Sequence, residues 1–202
     1  MIIEKLSERF SHFPGIGSRQ ARRFVYFLLH LDDQSIAELV DTIGALRREV
    51  EQCESCYRYF EGTGPLCDFC DRKNARRDTL MVVEKDVDVE IMHKSGVYDG
   101  LYFVLGGLFP MVETKKTARV RSKELQERIT REASAHNLHE IIFALSANPE
   151  GDRTIDRLLE ILKPLIKKYS LEITTLGRGF STGTELEYSD TATIKNAFQG
   201  RK

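Results

Sequence analysis

The sequence has little proline and no long hydrophobic segment. There are 5 Pro and 14 Gly among 202 residues, and 41% of the residues are hydrophobic, which excludes collagen-like and disordered chains. The longest strongly apolar run near the N-terminus, residues 24–29, is far shorter than the roughly 20 residues that span a bilayer. Residues 1–5 include an acid and lack the pattern of a secretory signal. We therefore expect a globular, cytoplasmic protein.

The sequence also has almost no net charge: 30 Lys and Arg stand against 31 Asp and Glu, which leaves −1 at pH 7. The charge of the whole chain therefore does not indicate a nucleic-acid partner, which has to be sought in local clusters. The pattern Gly-x4-Gly-Lys-Ser/Thr is missing as well. A P-loop nucleotide hydrolase would need it to hold phosphates.

Cysteine is confined to one short segment, which has two Cys-x-x-Cys pairs separated by ten residues: Cys53, Cys56, Cys67 and Cys70. Four thiolates at this spacing can surround one Zn²⁺ tetrahedrally, at about 2.3 Å from the metal. Two disulfides or four free thiols are the alternatives, and a reducing cytoplasm disfavours disulfides. Because four thiolates leave no open coordination position, we expect structural rather than catalytic zinc.

The pattern of apolar residues changes at this cysteine segment. Residues 1–52 have helical spacing, with helices expected at 18–31 and at about 35–50 after a first one near the N-terminus. Later, short apolar runs alternate with helical patterns, which predicts an α/β fold with a mostly parallel sheet. The expected strands are 79–84, 101–105, 140–145 and 171–176, and the expected helices are 122–136, 152–169 and 191–199.

A Pro-Gly-Ile-Gly loop separates the first two expected helices. Gly15 and Gly17 let the backbone approach another molecule closely and adopt positive φ. The loop leads into a helix N-terminus, where unpaired N–H groups and the helix dipole attract anions. This layout is that of a helix-hairpin-helix, which binds phosphate through loop amides without reading bases.

Arginine is concentrated directly after this loop. Residues 9–31 include four Arg and no acid, and Arg19 and Arg23 are four positions apart, hence on one helical face. Loop and arginines together favour DNA binding. The alternative is an ordinary turn between two helices, with a basic face that only meets solvent.

Carboxylates follow two of the expected strands. Glu84 ends the first strand, and Glu150 and Asp152 follow the strand at 140–145. Ligands bind beyond the carboxyl ends of parallel strands, so these acids could converge on a hard cation such as Mg²⁺. The alternative is that Glu150 and Asp152 only begin a helix, where acids complement the dipole.

The chain resembles the RecR family of bacterial recombination-repair proteins over nearly its whole length. The motifs that carry the resemblance occur in the family's order: the loop at 13–17, the four cysteines, the strand ending in Glu84, the segment SGVYDGLYFVLGG at 95–107, Glu150-Gly151-Asp152, and the segment GFSTGTELEYSD at 179–190. The ordered combination is highly specific.

The resemblance implies a fold and a mode of action. Four parts are expected: a helix-hairpin-helix at 1–52, a four-cysteine zinc finger at 53–72, a Toprim domain at 79–176 and an assembly segment at 177–202. It also implies a ring-like oligomer that clamps DNA through Arg19 and Arg23; a tetramer is expected, and a dimer is left open. Such a clamp acts with RecO and, in many bacteria, with RecF to load recombinase on gapped DNA.

Two departures from the family's pattern matter. Catalytic Toprim enzymes carry a later Asp-x-Asp, whose positions hold Ser146 and Asn148 here, and this disfavours tight magnesium binding and phosphoryl chemistry. The stretch at 112–123 is more basic than the family's loop, and its role is left open.

We therefore predict a DNA-binding mediator without enzymatic activity. The rival hypothesis is a magnesium-dependent nuclease or topoisomerase that uses Glu84, Glu150 and Asp152. A third hypothesis is a zinc-containing interaction module with no role on DNA.

Overall fold

The computed structural model describes residues 1–72, 76–111, 120–135, 138–180 and 183–200. Most of the basic stretch at 112–123 and the last residue of the expected helix 122–136 lie outside these ranges. The chain forms two compact units, Met1–Val50 and Glu51–Lys202. None of the described helices combines the length and the apolar character needed to cross a membrane.

The first unit is helical, with α1 at Ile2–Ser11, α2 at Ser18–Leu28 and α3 at Asp33–Glu49. Helix α1 packs on α2, and the Phe10 ring meets those of Phe13 and Phe24 at centroid distances of 5.7 and 6.0 Å. Helix α3 begins two residues before the expected start because Asp32 caps it, its carboxylate accepting from the Ser35 amide at 2.8 Å. The three expected helices are confirmed.

A small two-stranded sheet follows α3, formed by β1 at Val50–Gln52, whose first residue is the last of the first unit, and β2 at Tyr59–Glu61; the short helix α4 comes next at Asp68–Asp71. The main sheet then has four parallel strands in the order β4-β3-β5-β6. Its strands are β3 at Arg76–Val83, β4 at Gly100–Val104, β5 at Glu140–Ala144 and β6 at Glu172–Thr175. The expected parallel α/β sheet is confirmed.

Helices flank this sheet: α5 at Asp86–Ser95, α6 at Ser122–Ala135 and α7 at Pro149–Tyr169. A 3-10 turn at Leu186–Tyr188 and α8 at Thr191–Gln199 follow. Helix α5 was not expected from the sequence, because it buries only Val89 and so has a weak apolar stripe. Helix α7 begins three residues before the expected start because Asn148 caps it and Pro149 suits its first position.

Alternate residues of the central strands pack on opposite sides of the sheet. Leu80 and Val82 of β3 belong to the core formed with α6 and α7. Met81 and Val83 belong to a second core that includes all four cysteines and Val89 of α5. The second half of β3, residues 80–83, and the whole of β4 are apolar and buried, as strands covered on both faces are, and the cysteine segment covers one face.

Candidate metal centre and nucleic-acid interface

The four cysteines come together in space. One sulfur from each lies within 4.8 Å of all the others, and the Sγ atoms of Cys56 and Cys67 are 3.6 Å apart. The residues are 0–5% exposed. Among the described residues, they are the one group of three or more potential ligands at such distances. The predicted clustering is thus confirmed.

Local backbone turns aim these sulfurs at one point. In the first pair, the Tyr57 amide donates to the Cys53 carbonyl at 2.9 Å, and Tyr57 adopts the left-handed φ of 63°. In the second pair, the Cys70 amide donates to the Cys67 carbonyl at 2.9 Å. The Cys67 amide also donates to the Cys53 sulfur at 3.4 Å, which links the two pairs.

The chemistry of this donor set suits a thiophilic divalent metal. Hydrogen bonding with the Cys56 thiol lowers the pKa of Cys53, and the same contact raises the pKa of Cys56. A metal bound by thiolates would take the place of the thiol protons. Four soft ligands with no open position fit a structural site.

The cysteine segment is attached to the main sheet. The amide of Val104, at the end of β4, donates to the Cys56 carbonyl at 2.8 Å. The Phe69 ring contacts the rings of His93 and Tyr102 at centroid distances of 4.5 and 5.8 Å. A metal here would therefore stabilise the packing of the whole second unit.

The Pro-Gly-Ile-Gly loop presents the N-terminus of α2. Gly15 has a φ of 76°, which favours glycine, and the Ile16 amide donates to the Phe13 carbonyl at 3.0 Å to close the turn. Gly17 is the N-cap residue of α2, and no side chain caps its amides. A side chain at Gly17 would meet nothing within 4 Å. The glycine leaves the first-turn amides open to an anion.

Arg19 and Arg23 are exposed and line the same open cleft of the first unit. Arg22 and Tyr26 line it too, and so do Glu4 and Glu8 of α1. The sequence pattern missed these two acids, because they precede the acid-free stretch at 9–31. Their carboxylates moderate the positive potential of the cleft.

Glu84 lies directly after β3, at the carboxyl end of the sheet. Its Oε2 accepts from the Ser146 hydroxyl at 2.6 Å, and its Oε1 is 2.8 Å from the Lys85 Nζ. Burial alone would raise the pKa of Glu84, but the hydrogen bonds from Lys85 and Ser146 outweigh it and hold the pKa below its ordinary value. The carboxylate is charged at neutral pH, and both of its oxygens are engaged.

Glu150 and Asp152 lie in the first turn of α7. The Arg178 guanidinium donates to Asp152 and lowers the pKa of that carboxyl, while Glu150 is exposed. Together with Glu84 these acids do not form a ligand group of the kind that the cysteines form. Glu150 and Asp152 occupy the positions at which acids complement the dipole of α7.

Comparison with known family models matches three segments of the chain. Residues 3–46 match the family model "RecR, helix-hairpin-helix", residues 78–176 match a Toprim domain and residues 181–202 match "RecR, C-terminal". The recombination protein RecR of Roseiflexus sp. is 33% identical over 99% of this chain and 93% of its own length. Those of Chloroherpeton thalassium and Dehalococcoides mccartyi are 31% and 30% identical over 98–99% of this chain and 93–95% of their own lengths.

The chain belongs to the RecR family. Helices α1–α3 fall almost entirely in the segment that matches the RecR helix-hairpin-helix, and the four-stranded sheet falls in the Toprim match, apart from the first two residues of β3. The resemblance noted in the sequence is therefore confirmed. The four cysteines lie between these two matched segments, so the metal site rests on the geometry described above.

Proposed function

We propose that this protein is a DNA-binding mediator of recombinational repair, which clamps DNA as an oligomer and has no catalytic activity of its own. One observation carries the proposal. The amides at the N-terminus of α2 have no side-chain cap, and Arg19 and Arg23 of the same helix line one cleft. Amides and guanidiniums on one surface bind phosphate irrespective of base sequence.

The first test is DNA binding by a double variant. Replacing Arg19 and Arg23 with Ala should weaken binding equally for all sequences and flatten its salt dependence, by about 0.9 log unit per log unit of salt for each lost contact on duplex DNA. Binding can be measured by fluorescence anisotropy over a series of salt concentrations. The matched control replaces Arg47 and Arg48, which are also exposed and adjacent to each other near the end of α3.

The control variant removes the same charge and should bind nearly as the wild type does. Unchanged binding by the Arg19 and Arg23 double variant at low salt would overturn the assignment. An equal loss in both double variants would instead mean that only the net charge of the unit matters.

The clamp requires self-association, because one 23.2 kDa chain is too small to encircle a duplex. An apolar groove in the first unit supports this step. It is lined by Ile3 and Phe10 of α1, Leu28 of α2, and Ile36 and Ile43 of α3. Light scattering of the pure protein, with and without a closed DNA circle, tests the oligomer and its retention on the circle together.

Within recombination and repair, the proposed partners are RecO, RecF or both, with recombinase loading on gapped DNA as the outcome. The comparison with relatives that are named recombination proteins supports the general role. The specific partners can be tested by adding each one to the clamp on gapped DNA and measuring recombinase assembly. If neither RecO nor RecF increased recombinase assembly, this part of the proposal would be contradicted.

The state of Glu84 supports a role without catalysis. Its two oxygens are engaged by Lys85 and Ser146, and metal-dependent phosphoryl transfer needs carboxylate oxygens that can bind the metal. Supercoiled plasmid incubated with the protein and Mg²⁺ should stay intact. Cleavage or relaxation that disappears in Glu84→Ala would favour the rival, enzymatic function.

A further inference from the structure

A buried arginine lies beside the metal centre. Arg128 is on α6, in line with the apolar core residues Leu125 and Ile129, yet its side chain is only 2% exposed. An arginine stays charged at any pH the protein meets, so its burial is unfavourable unless an opposite charge compensates for it. The groups that compensate the charge of Arg128 must therefore lie close to it.

One carboxylate serves several guanidiniums here. Glu132, also 2% exposed, has an oxygen 3.0 Å from the Arg128 Nε. The same carboxylate lies 3.5 Å from the Arg77 Nη1 and 3.6 Å from the Arg131 Nε. These four residues, which we term the guanidinium cluster, carry three positive charges and one negative charge. Arg77 and Arg131 are 29% and 53% exposed, so water screens part of their charge, whereas Arg128 is shielded from solvent.

The guanidinium cluster contacts both Cys-x-x-Cys segments. The Arg128 Nη1 is 4.0 Å from the Cys70 sulfur, as donor to it, and the Arg77 Nη2 donates to the Cys70 carbonyl at 3.3 Å. In the first segment, the Arg131 Nη2 donates to the Ser55 hydroxyl at 2.6 Å. Side chains from α6 and β3 thus contact both cysteine segments.

The charges of the two groups are complementary. Four thiolates around a divalent metal carry a net charge of minus two. We propose that Arg128, oriented by Glu132, is the counter-ion of the metal centre and slows the loss of the metal by donating to the Cys70 thiolate. This inference rests on the metal site described above. Donors to a ligand atom act in this way at other metal sites, where their loss weakens metal binding about 10- to 100-fold.

The test measures how fast the protein releases its metal. Zinc-loaded wild type and variants are mixed with an excess of a chromophoric chelator, and the transfer of metal is followed by absorbance. Arg128→Met should release the metal about 10-fold faster than the wild type. Arg128→Lys should recover part of the loss, because it restores the charge without the planar fork. Lys123→Met removes an exposed charge from the same helix and should leave the rate of metal release unchanged.

Ile129→Ala tests whether lost packing, rather than the lost charge of Arg128, explains a faster release of the metal. It deletes a buried side chain of the same helix and should lower the melting temperature without speeding metal release to the same extent. Equal acceleration in Ile129→Ala and Arg128→Met at a similar loss of stability would overturn the proposal, since packing would then explain both. Release from Arg128→Met at the rate of the wild type would overturn it as well.

Two further outcomes are separated by the design. If Arg128→Met does not fold, Arg128→Gln replaces it, because its amide removes the charge but can still donate to Glu132. A smaller but distinct acceleration is expected there, and none would overturn the proposal. A wild type that purifies without metal, and cannot be loaded, would overturn the metal site itself and not only the role of Arg128.

Discussion

At the scale of single residues, the chemistry of Glu84 depends on two neighbours. Lys85 follows it in the chain and is 66% exposed at its side chain, whereas Ser146 comes from the segment after β5. Both contacts lower the pKa of Glu84, the one with Lys85 more than the one with Ser146. Water screens the exposed Lys85 end of the ion pair, so its contribution to stability is small, whereas the Ser146 hydroxyl donates to a charged oxygen of a buried side chain. The sequence placed the carboxylate at a strand end, but not the hydroxyl that it meets.

Glu84→Gln should make the stability of the protein less dependent on pH. The pKa of Glu84 is lowered in the folded state, so its charge stabilises the fold above the ordinary glutamate pKa. That contribution is lost as the pH falls through the lowered value. We expect the variant to be less stable at pH 7 by about 1–2 kcal/mol, with the difference shrinking in acid. Urea unfolding from pH 7 to pH 3 measures it.

Lys85→Met is the control for this prediction. It removes only the exposed partner and should cost less than Glu84→Gln at pH 7. If the wild type and Glu84→Gln lost stability in parallel on acidification, the hydrogen bonds to the carboxylate would not be stabilising in the way described.

At the scale of elements, the start of α7 shows how helix formation, rather than metal binding, accounts for the motif Glu150-Gly151-Asp152. Asn148 is the N-cap, and its side-chain oxygen accepts from the Gly151 amide at 2.8 Å. Glu150 and Asp152 complement the helix dipole in the first turn. Gly151 is buried against the Ser146 carbonyl, and a Cβ on it would collide with that backbone oxygen. Capping, charge and close approach together account for these residues.

Gly151→Ala should therefore destabilise the protein. Alanine normally favours a helix over glycine by up to about 1 kcal/mol, but here the backbone of Ser146 must move. We expect a net loss of about 1–3 kcal/mol, measured by urea unfolding. Gly177→Ala is the matched control, since a Cβ there meets nothing within 4 Å and the residue has no positive φ. Equal stability of the two variants would contradict the close approach.

The sequence predicted most elements of the chain because their patterns are local. Helices α1–α3, α6, α7 and α8 and the four parallel strands follow from apolar periodicity and turn residues. Helix α5 was missed, and so were the short strands β1 and β2. These elements are stabilised by contacts of the cysteine segment with the sheet, which no local pattern contains.

At the scale of the whole molecule, the metal centre belongs to the larger unit, Glu51–Lys202. All four cysteines lie in one core with residues of β3, β4 and α5. A metal that binds only the folded chain contributes its binding free energy to folding. Its contribution therefore extends to the sheet on which the cysteine segment packs.

Cys67→Ser should lose the metal and lower the stability of the larger unit by more than about 2 kcal/mol. Thermal unfolding and the metal content of the purified protein measure the two effects together. Glu54→Ala alters an exposed side chain between two of the ligands and should change neither quantity. A variant that lost the metal at an unchanged melting temperature would show that the metal does not stabilise this unit.

The sequence by itself determined the features that depend on neighbours along the chain. Among these are the spacing of the four cysteines, the glycine loop before α2, the positions of Arg19 and Arg23, and the types of most elements. Residues a few positions apart obey fixed turn and helix geometry, so their spacing suffices to predict them. The family also followed from motifs of this kind.

Only the tertiary structure decided which distant groups meet. It brought Ser146 to Glu84, 62 positions away, and Arg128 to Cys70, 58 positions away. It also placed Glu4 and Glu8 in the cleft of the arginines. These contacts set the charge of each site, and they depend on the packing of the helices and strands, because Coulomb interactions act through space and not along the chain.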